Sequence, residues 1–193
     1  MSVPVDESKK SQILDAALEK FLAYGVAKTS MADIATEVGV SRPALYLHYA
    51  NKEAIFSACI ARILDGATTA ALQSLQRPGS VAERLDGYLQ RAVGDLTEKL
   101  HPSAHGADLI EAKVGYARAV FESDLRRTRK GLAAYLKSVA GPVVDVATVT
   151  GWVDMLKMAP MGFKSDNPSL RAFRSRLTTL ATLVALDVER HAR

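Results

Sequence analysis

The sequence predicts an all-α protein: a small N-terminal three-helix domain carrying a helix-turn-helix, joined to a larger C-terminal helical domain, about nine helices in total. Three observations predict it. Apolar residues recur three and four apart along most of the 193 residues. The prolines (Pro4, Pro43, Pro78, Pro102, Pro142, Pro160 and Pro168) mostly fall where an apolar periodic stretch ends or begins. β-branched residues form no alternating runs, apart from an ambiguous patch between Val143 and Val153. With 48% hydrophobic and 24% charged residues the chain has the mix of a folded soluble protein, not a disordered one.

Each element has its own reason. In the first helix Ile13, Leu14, Ala17, Leu18, Phe21 and Leu22 share a face, with Asp15, Glu19 and Lys20 outside it. Gly25 stands where a left-handed C-terminal cap belongs. Ser30 with Asp33 three residues on resembles a capping box, and Met31, Ile34, Ala35 and Val38 form the stripe of a short second helix. Gly39-Val40 breaks it. Ser41 caps a third helix with Pro43 in its first turn, where the missing N–H costs nothing. Asn51 caps a fourth, with Ile55, Phe56, Cys59, Ile60, Ile63 and Leu64 apolar.

A break at Gln76–Gly79 is followed by a capping box at Ser80 and Glu83 and by a long amphipathic helix reaching Leu100. His101-Pro102-Ser103 interrupts. Further helices are expected over 107–120, 122–139 and 143–158, then a loop from Pro160 to Asn167. Asn167 is read as a cap with Pro168 at the first helical position of a last helix running to about Arg190.

Two short helices joined by a glycine turn and packed on a preceding helix make a helix-turn-helix: 30–38, Gly39-Val40 and 41–49. The third helix is the reading head. Its outer face offers Arg42, Pro43, Ala44, Tyr46, Leu47 and His48, and a helix fits the major groove. Residues 10–56 resemble the DNA-binding domain of the tetracycline-repressor (TetR) family of bacterial transcription regulators. The resemblance rests on Ile13–Ala17, Phe21 with Tyr24-Gly25, Thr29–Ala35, Val38–Ser41 and, most specifically, Leu45–Glu53. It covers about a quarter of the chain. Tyr49 stands where the family usually has Phe, and Pro43 is less usual there.

The resemblance implies a division into 1–52, the DNA-binding domain, and 53–193, a ligand-binding and dimerisation domain. It implies that Thr29 and Ser30 hold a phosphate at the head of the second helix. Tyr46 gives its phenol to a phosphate, and Lys52 pairs with another. Arg42, Pro43, Ala44 and His48 face bases or nearby backbone, with Arg42 the best candidate for guanine, and Lys28 and Ser41 lie beside them. Simpler roles stand next to these: Ser30, Ser41 and Asn51 as caps, Tyr49 as a packing residue, and His48 as a solvated or structural histidine.

For the larger part, the resemblance implies a homodimer that binds a small-molecule effector and a double-stranded, palindromic operator. The expected activity is ligand-responsive repression, released by an inducer. Independently, Leu170, Phe173, Leu177, Leu180 and Val184 step by three and four in the last helix, as in a packed dimer seam; an ordinary core helix shows the same pattern. Tyr116, Trp152 and Met155 are candidates to line an effector pocket, against the commoner fate of such residues in a core. A second reading is an all-helical enzyme or metal-binding protein using His101, His105, Asp108 and Glu111, opposed by Pro102, which disfavours helix at His101. A third is a helical protein-interaction module. No nucleophile–base pair and no phosphate-loop or dinucleotide pattern is found, so neither enzyme activity nor a cofactor is expected. The single cysteine, the lack of a signal-like N-terminus and the lack of an uncharged run near 20 residues lead to a cytoplasmic expectation without membrane contact.

The net charge of +4 misleads. Residues 1–64 carry seven basic and seven acidic side chains, so the whole surplus lies in 65–193. What points to nucleic acid is the placement of Lys28, Arg42 and Lys52 near the reading helix. The run Arg126–Lys130 is expected to be a solvated helix face.

Overall fold

The computed structural model describes residues 5–100 and 117–192, with side chains beginning at residue 8 and omitted at 99 and 100. Among these residues there is no strand. The helices are α1 (Val5–Tyr24), α2 (Met31–Val38), α3 (Arg42–His48) and α4 (Lys52–Ser74). Then come α5 (Val81–Leu89), a π-helical turn (Gln90–Gly94), α6 (Asp95–Leu100), α7 (Arg118–Ala140), α8 (Val146–Gly162) and α9 (Leu170–His191). The expected helix over 107–120 lies mostly outside the described residues.

Two compact units emerge: 1–64 with 100–122, and 65–99 with 123–193. Packing therefore divides the chain at residue 64, inside α4, whereas the motif ends at residue 52. In the first unit Ile13, Ala17 and Phe21 of α1, Ile34 and Ala35 of α2, Leu45 of α3 and Ile55, Phe56 and Cys59 of α4 share one core. Phe21 meets Phe56 edge to face, ring centroids 5.7 Å apart, a favoured aromatic geometry. On that core the caps form as the sequence predicts. Ser30 and Asp33 make both bonds of a capping box, Ser41 accepts from Ala44 N–H, and Asn51 accepts from Ala54 N–H at 2.8 Å. Gly39 takes φ +71°, which a residue with a Cβ adopts only with strain.

α4 is long and apolar enough, by length and composition alone, to cross a membrane. Two of its charged residues are ion-paired within their own units: Arg62 with Asp15, Asp65 with Arg127. Its apolar residues Ile55, Phe56 and Cys59 fill one core, and Ala71, with Leu75 just past the helix end, joins another. It is a core helix.

In the second unit α9 packs chiefly along α5 and also against α8. Phe173, Leu177, Leu180, Val184 and Val188 point into a core with Leu85, Tyr88, Leu89, Leu132, Trp152 and Leu156. The long amphipathic helix does form, but a π turn interrupts it. That turn is held against α9. Gln90 donates to Arg174 O at 3.1 Å, and Arg174 donates to Gln90 Oε1, Asp95 and Glu98. A Cβ at Gly94 would lie 2.9 Å from Gln90 Oε1 and 3.0 Å from the Arg174 guanidinium, so a larger residue there would push these two side-chain ends aside.

Three local expectations are corrected. α8 runs on through Pro160 to Gly162, because a proline in the last turn removes only one helical hydrogen bond. The cap of α9 is Ser169, accepting from Ala172 N–H, whereas Asn167 sits outside the helix at φ +48°. Finally, Arg126–Lys130 is not a plain solvated face: Arg127 pairs with Asp65 of α4, Arg129 with Asp154 of α8, and Thr128 is buried.

Candidate nucleic-acid interface

The candidate interface is built from the start of α2, the whole of α3 and the start of α4. α3 is seven residues long and commits only Leu45 fully to the core. Ser41, Arg42, Pro43, Tyr46 and Leu47 are exposed, and Ala44, His48 and Tyr49 are half-buried. Tyr49 packs against the core, while Tyr46 stays 43% exposed. Arg42 and Tyr46, one turn apart, form a unit. The guanidinium lies 5.6 Å from the phenol ring centroid and donates to its hydroxyl at 3.3 Å. A cation held over a ring loses less freedom when it engages a second partner.

Leu47, expected on the outer face, is 86% exposed, with an apolar body projecting from the reading helix. Its signal in the sequence is position: it lies between Tyr46 and His48, off the apolar stripe of Leu45. In a major groove such a side chain meets thymine methyl groups.

The start of α2 is more committed than expected. Thr29 is 3% exposed, and its hydroxyl donates to Gly25 O at 2.8 Å, stitching the end of α1 to the start of α2. The Ser30 hydroxyl donates to Asp33 at 2.7 Å and accepts from Asp33 N–H. The Ser30 hydroxyl and then its N–H hold the Asp33 carboxyl below its ordinary range. By helix geometry the N–H groups of Met31 and Ala32 have no carbonyl one turn back, so they are the donors left for a phosphate. Lys28 is exposed beside them and lines a shallow hollow with Lys20, Tyr24, Thr29 and Asp33. Lys20 is paired with Glu37 at 2.7 Å.

Lys52 differs most from expectation. Its ammonium donates to Val26 O at 2.8 Å, Ala27 O at 3.0 Å and Thr29 O at 3.0 Å. An ammonium has three N–H donors, and all three are taken by the connection between α1 and α2. The structure therefore gives Lys52 the geometry of a positioning residue, not that of a free phosphate clamp.

In the second unit the candidate residues separate. Trp152 is buried, donates from its indole N–H to Asp187 at 2.8 Å and stands edge-on to His191; it is a core residue tying α8 to α9. Met155 faces outward. Tyr116, His101, His105, Asp108 and Glu111 lie outside the described residues. Phe173, Leu177, Leu180 and Val184 are buried within their own subunit, and Leu170 is half-buried beside them. The stripe thus packs α9 onto α5, because an apolar stripe buries itself against the nearest apolar surface whichever chain supplies it. The outward faces of α8 and α9 carry instead Met155, Met158, Met161, Leu183 and Leu186, with Leu183 61% exposed.

Comparison with known proteins agrees with this geometry. Residues 13–59 match the family described as bacterial regulatory proteins, tetR family. The helix-turn-helix transcriptional activator FasR of Mycolicibacterium smegmatis is 29% identical over 187 residues, covering 97% of this chain and 72% of FasR. The uncharacterised regulator YezE of Bacillus subtilis is 33% identical over 86 residues, 45% of this chain, and the match spans 44% of YezE's length. A crystal structure of a TetR-family regulator from Mesorhizobium loti superposes with a TM-score of 0.73 at 20% identity, covering 96% of this chain and 97% of the other. A regulator structure from Pseudomonas aeruginosa gives 0.69 at 18%, covering 97% and 95%.

Proposed function

Because the chain belongs to the TetR family of bacterial regulatory proteins, we propose that it is a ligand-responsive transcription regulator that binds a palindromic operator as a homodimer. The observation that carries the reading is α3: its outer face presents Arg42 stacked on Tyr46 and a bare Leu47, beside the open N–H groups of α2. Arg42 and Leu47 read base edges. Pro43, Ala44 and His48 flank them. Tyr46, Lys28 and the α2 amides hold phosphates, which fix register without reading sequence. Ser41 caps the reading helix, and Thr29, Ser30 and Lys52 fix the α2 terminus in place.

The homodimer uses the outward apolar residues of α8 and α9, Met155, Met158, Leu183 and Leu186, which are exposed in one chain. A two-fold pair of reading heads requires an operator of the same symmetry. Occupying a promoter palindrome in the cytoplasm represses, and a small molecule bound in the second unit releases the operator if it prefers the non-DNA conformation. Activation is the second reading, since FasR, matched over 97% of this chain, is described as an activator.

A salt series of binding to a duplex selected from a random pool tests the function. Log affinity is expected to fall linearly with log salt, with the selected duplex bound at least about a thousandfold more tightly than a scrambled one. Equal affinity for both would remove the regulatory reading.

A further inference from the structure

Among the described residues, three buried side-chain polar atoms have no hydrogen-bond partner: Arg84 Nε, Tyr88 OH and Tyr135 OH. All three lie on α5 and α7 in the second unit. Buried polar groups are almost always bonded, so three orphans on two helices ask for an absent partner. Lys157 of α8 adds a fourth group. It is half-buried and makes no hydrogen bond or ion pair among the described residues.

The groups are arranged in order. Arg84 and Tyr88 are one turn apart on α5, about 6 Å along the axis. Tyr135 neighbours the Arg84 guanidinium, and Glu189 of α9 acts on its phenol from further off. Two and three turns earlier on α7, Thr128 and Asp124 lie beside Tyr88, the Thr128 hydroxyl facing the phenol. Thr128 donates to backbone carbonyls, and Asp124 accepts from the Thr68 hydroxyl at 2.5 Å. Asp124 also faces Lys157, while Arg129, next to Lys157, is paired with Asp154. Burial lowers the tendency of Lys157 to hold its proton and pushes the Tyr88 phenol upward.

The unsatisfied set is one-sided. Arg84 Nε and Lys157 can only donate, and both tyrosines can donate. Neither Arg84 nor Lys157 has a carboxylate within ion-pair distance among the described residues, and Asp124, the carboxylate that acts on Lys157, already accepts from Thr68. A partner that completes this set brings acceptor oxygens and negative charge. The surroundings (Leu85, Leu89, Leu132 and Leu136) are apolar.

We infer that the face between α5, α7 and α8 is a binding site for an organic carboxylate, held by Lys157, Tyr88, Tyr135 and Arg84. This rests on the regulatory reading only in taking that carboxylate to be the effector.

Full-length protein is titrated calorimetrically with octanoate and benzoate, and with octanol, benzyl alcohol and octylamine as matched neutral and cationic controls. Saturable binding of at least one carboxylate, at least tenfold tighter than its alcohol and with the amine silent, is expected. Lys157→Met and Tyr88→Phe each weaken it at least tenfold. Tyr88→Phe without ligand melts no lower than the parent, because the hydroxyl it removes has no partner. Carboxylate and alcohol binding alike, variants binding like the parent, or silence from both carboxylates at millimolar concentration would overturn the site. Binding to the selected duplex is measured separately. If carboxylate binds and duplex affinity does not change, the site stands and the effector role falls. If no duplex is preferred, the regulatory reading falls and the calorimetry still decides the site.

Discussion

Replacing Lys52 by methionine keeps the aliphatic stem and removes three charge-assisted donors. The bonds to Val26, Ala27 and Thr29 carbonyls are 2.8, 3.0 and 3.0 Å long. A bond to a charged group contributes roughly 1.5–3 kcal/mol when protected. Here the bond to Ala27 is exposed and the ammonium is well solvated in the unfolded chain, so the three together are expected to contribute about 2–3 kcal/mol. For a chain of this size that lowers the melting midpoint by roughly 5–10 °C. The α1–α2 connection would loosen, the α2 amides would lose their fixed direction, and duplex affinity would fall about tenfold, a loss of roughly 1.4 kcal/mol. The salt dependence separates positioning from contact. A phosphate-bound lysine contributes about 0.9 to the slope of log affinity against log salt, close to 2 for a dimer. Lys52→Met is therefore measured by thermal melting and by fluorescence anisotropy over a salt series. The expected result is a lower midpoint and weaker binding with an unchanged slope. An unchanged midpoint with a slope smaller by about 2 would refute the reasoning and return Lys52 to the phosphate backbone.

Other consequences are checked as directly. Leu47→Ala should make binding indifferent to replacing one thymine by uracil in each half-site, whereas the parent loses affinity there; band-shift titrations on the substituted duplexes decide it. Leu183→Glu combined with Met158→Glu places charge on the outward faces of α8 and α9 and should leave a 20.8 kDa species in light scattering at micromolar concentration, still helical by circular dichroism. Burial pushes the Cys59 thiol up to about 12, and Cys59 donates to Leu14 O. Iodoacetamide at pH 8 should therefore label it only after unfolding. The capping-box carboxyls Asp33 and Glu83 are held below their ordinary range by Ser30 and Ser80. Their stabilisation is present above the unfolded value, near pH 4, and is lost as pH falls through the folded one. Asp33→Asn with Glu83→Gln should flatten the melting midpoint against pH in that window.

What the sequence made legible was local. Ser30 with Asp33, Ser41, Gly39 and Ser80 with Glu83 act on backbone within three residues of themselves, so their roles are written in adjacent letters. The apolar spacing of α1 and α2 fixed which residues enter the first core. The α3 face was equally readable, and only the bareness of Leu47 needed coordinates. Three things depended on distant partners. Lys52 finds its carbonyls 23 to 26 residues away, and the indole of Trp152 finds Asp187 35 residues on, so the polar handle that suggested a ligand was already occupied. The α9 stripe has the period of a seam, but period does not name the partner, and the α5 surface of the same subunit took it. The π turn at Gln90–Gly94 answers to Arg174, on another helix, and has no local signature in the heptad pattern.

The central claim is that two copies of α3, related by a two-fold axis, read one DNA site. Selection of bound duplexes from a random pool by the full-length protein, followed by the mass of the complex, tests it most directly. The account predicts enrichment of an inverted repeat whose half-site centres lie one helical turn or a multiple of it apart, bound by protein of twice 20.8 kDa or a multiple of that. Enrichment of a single unrepeated site bound by one chain, or no enrichment at all, would contradict it.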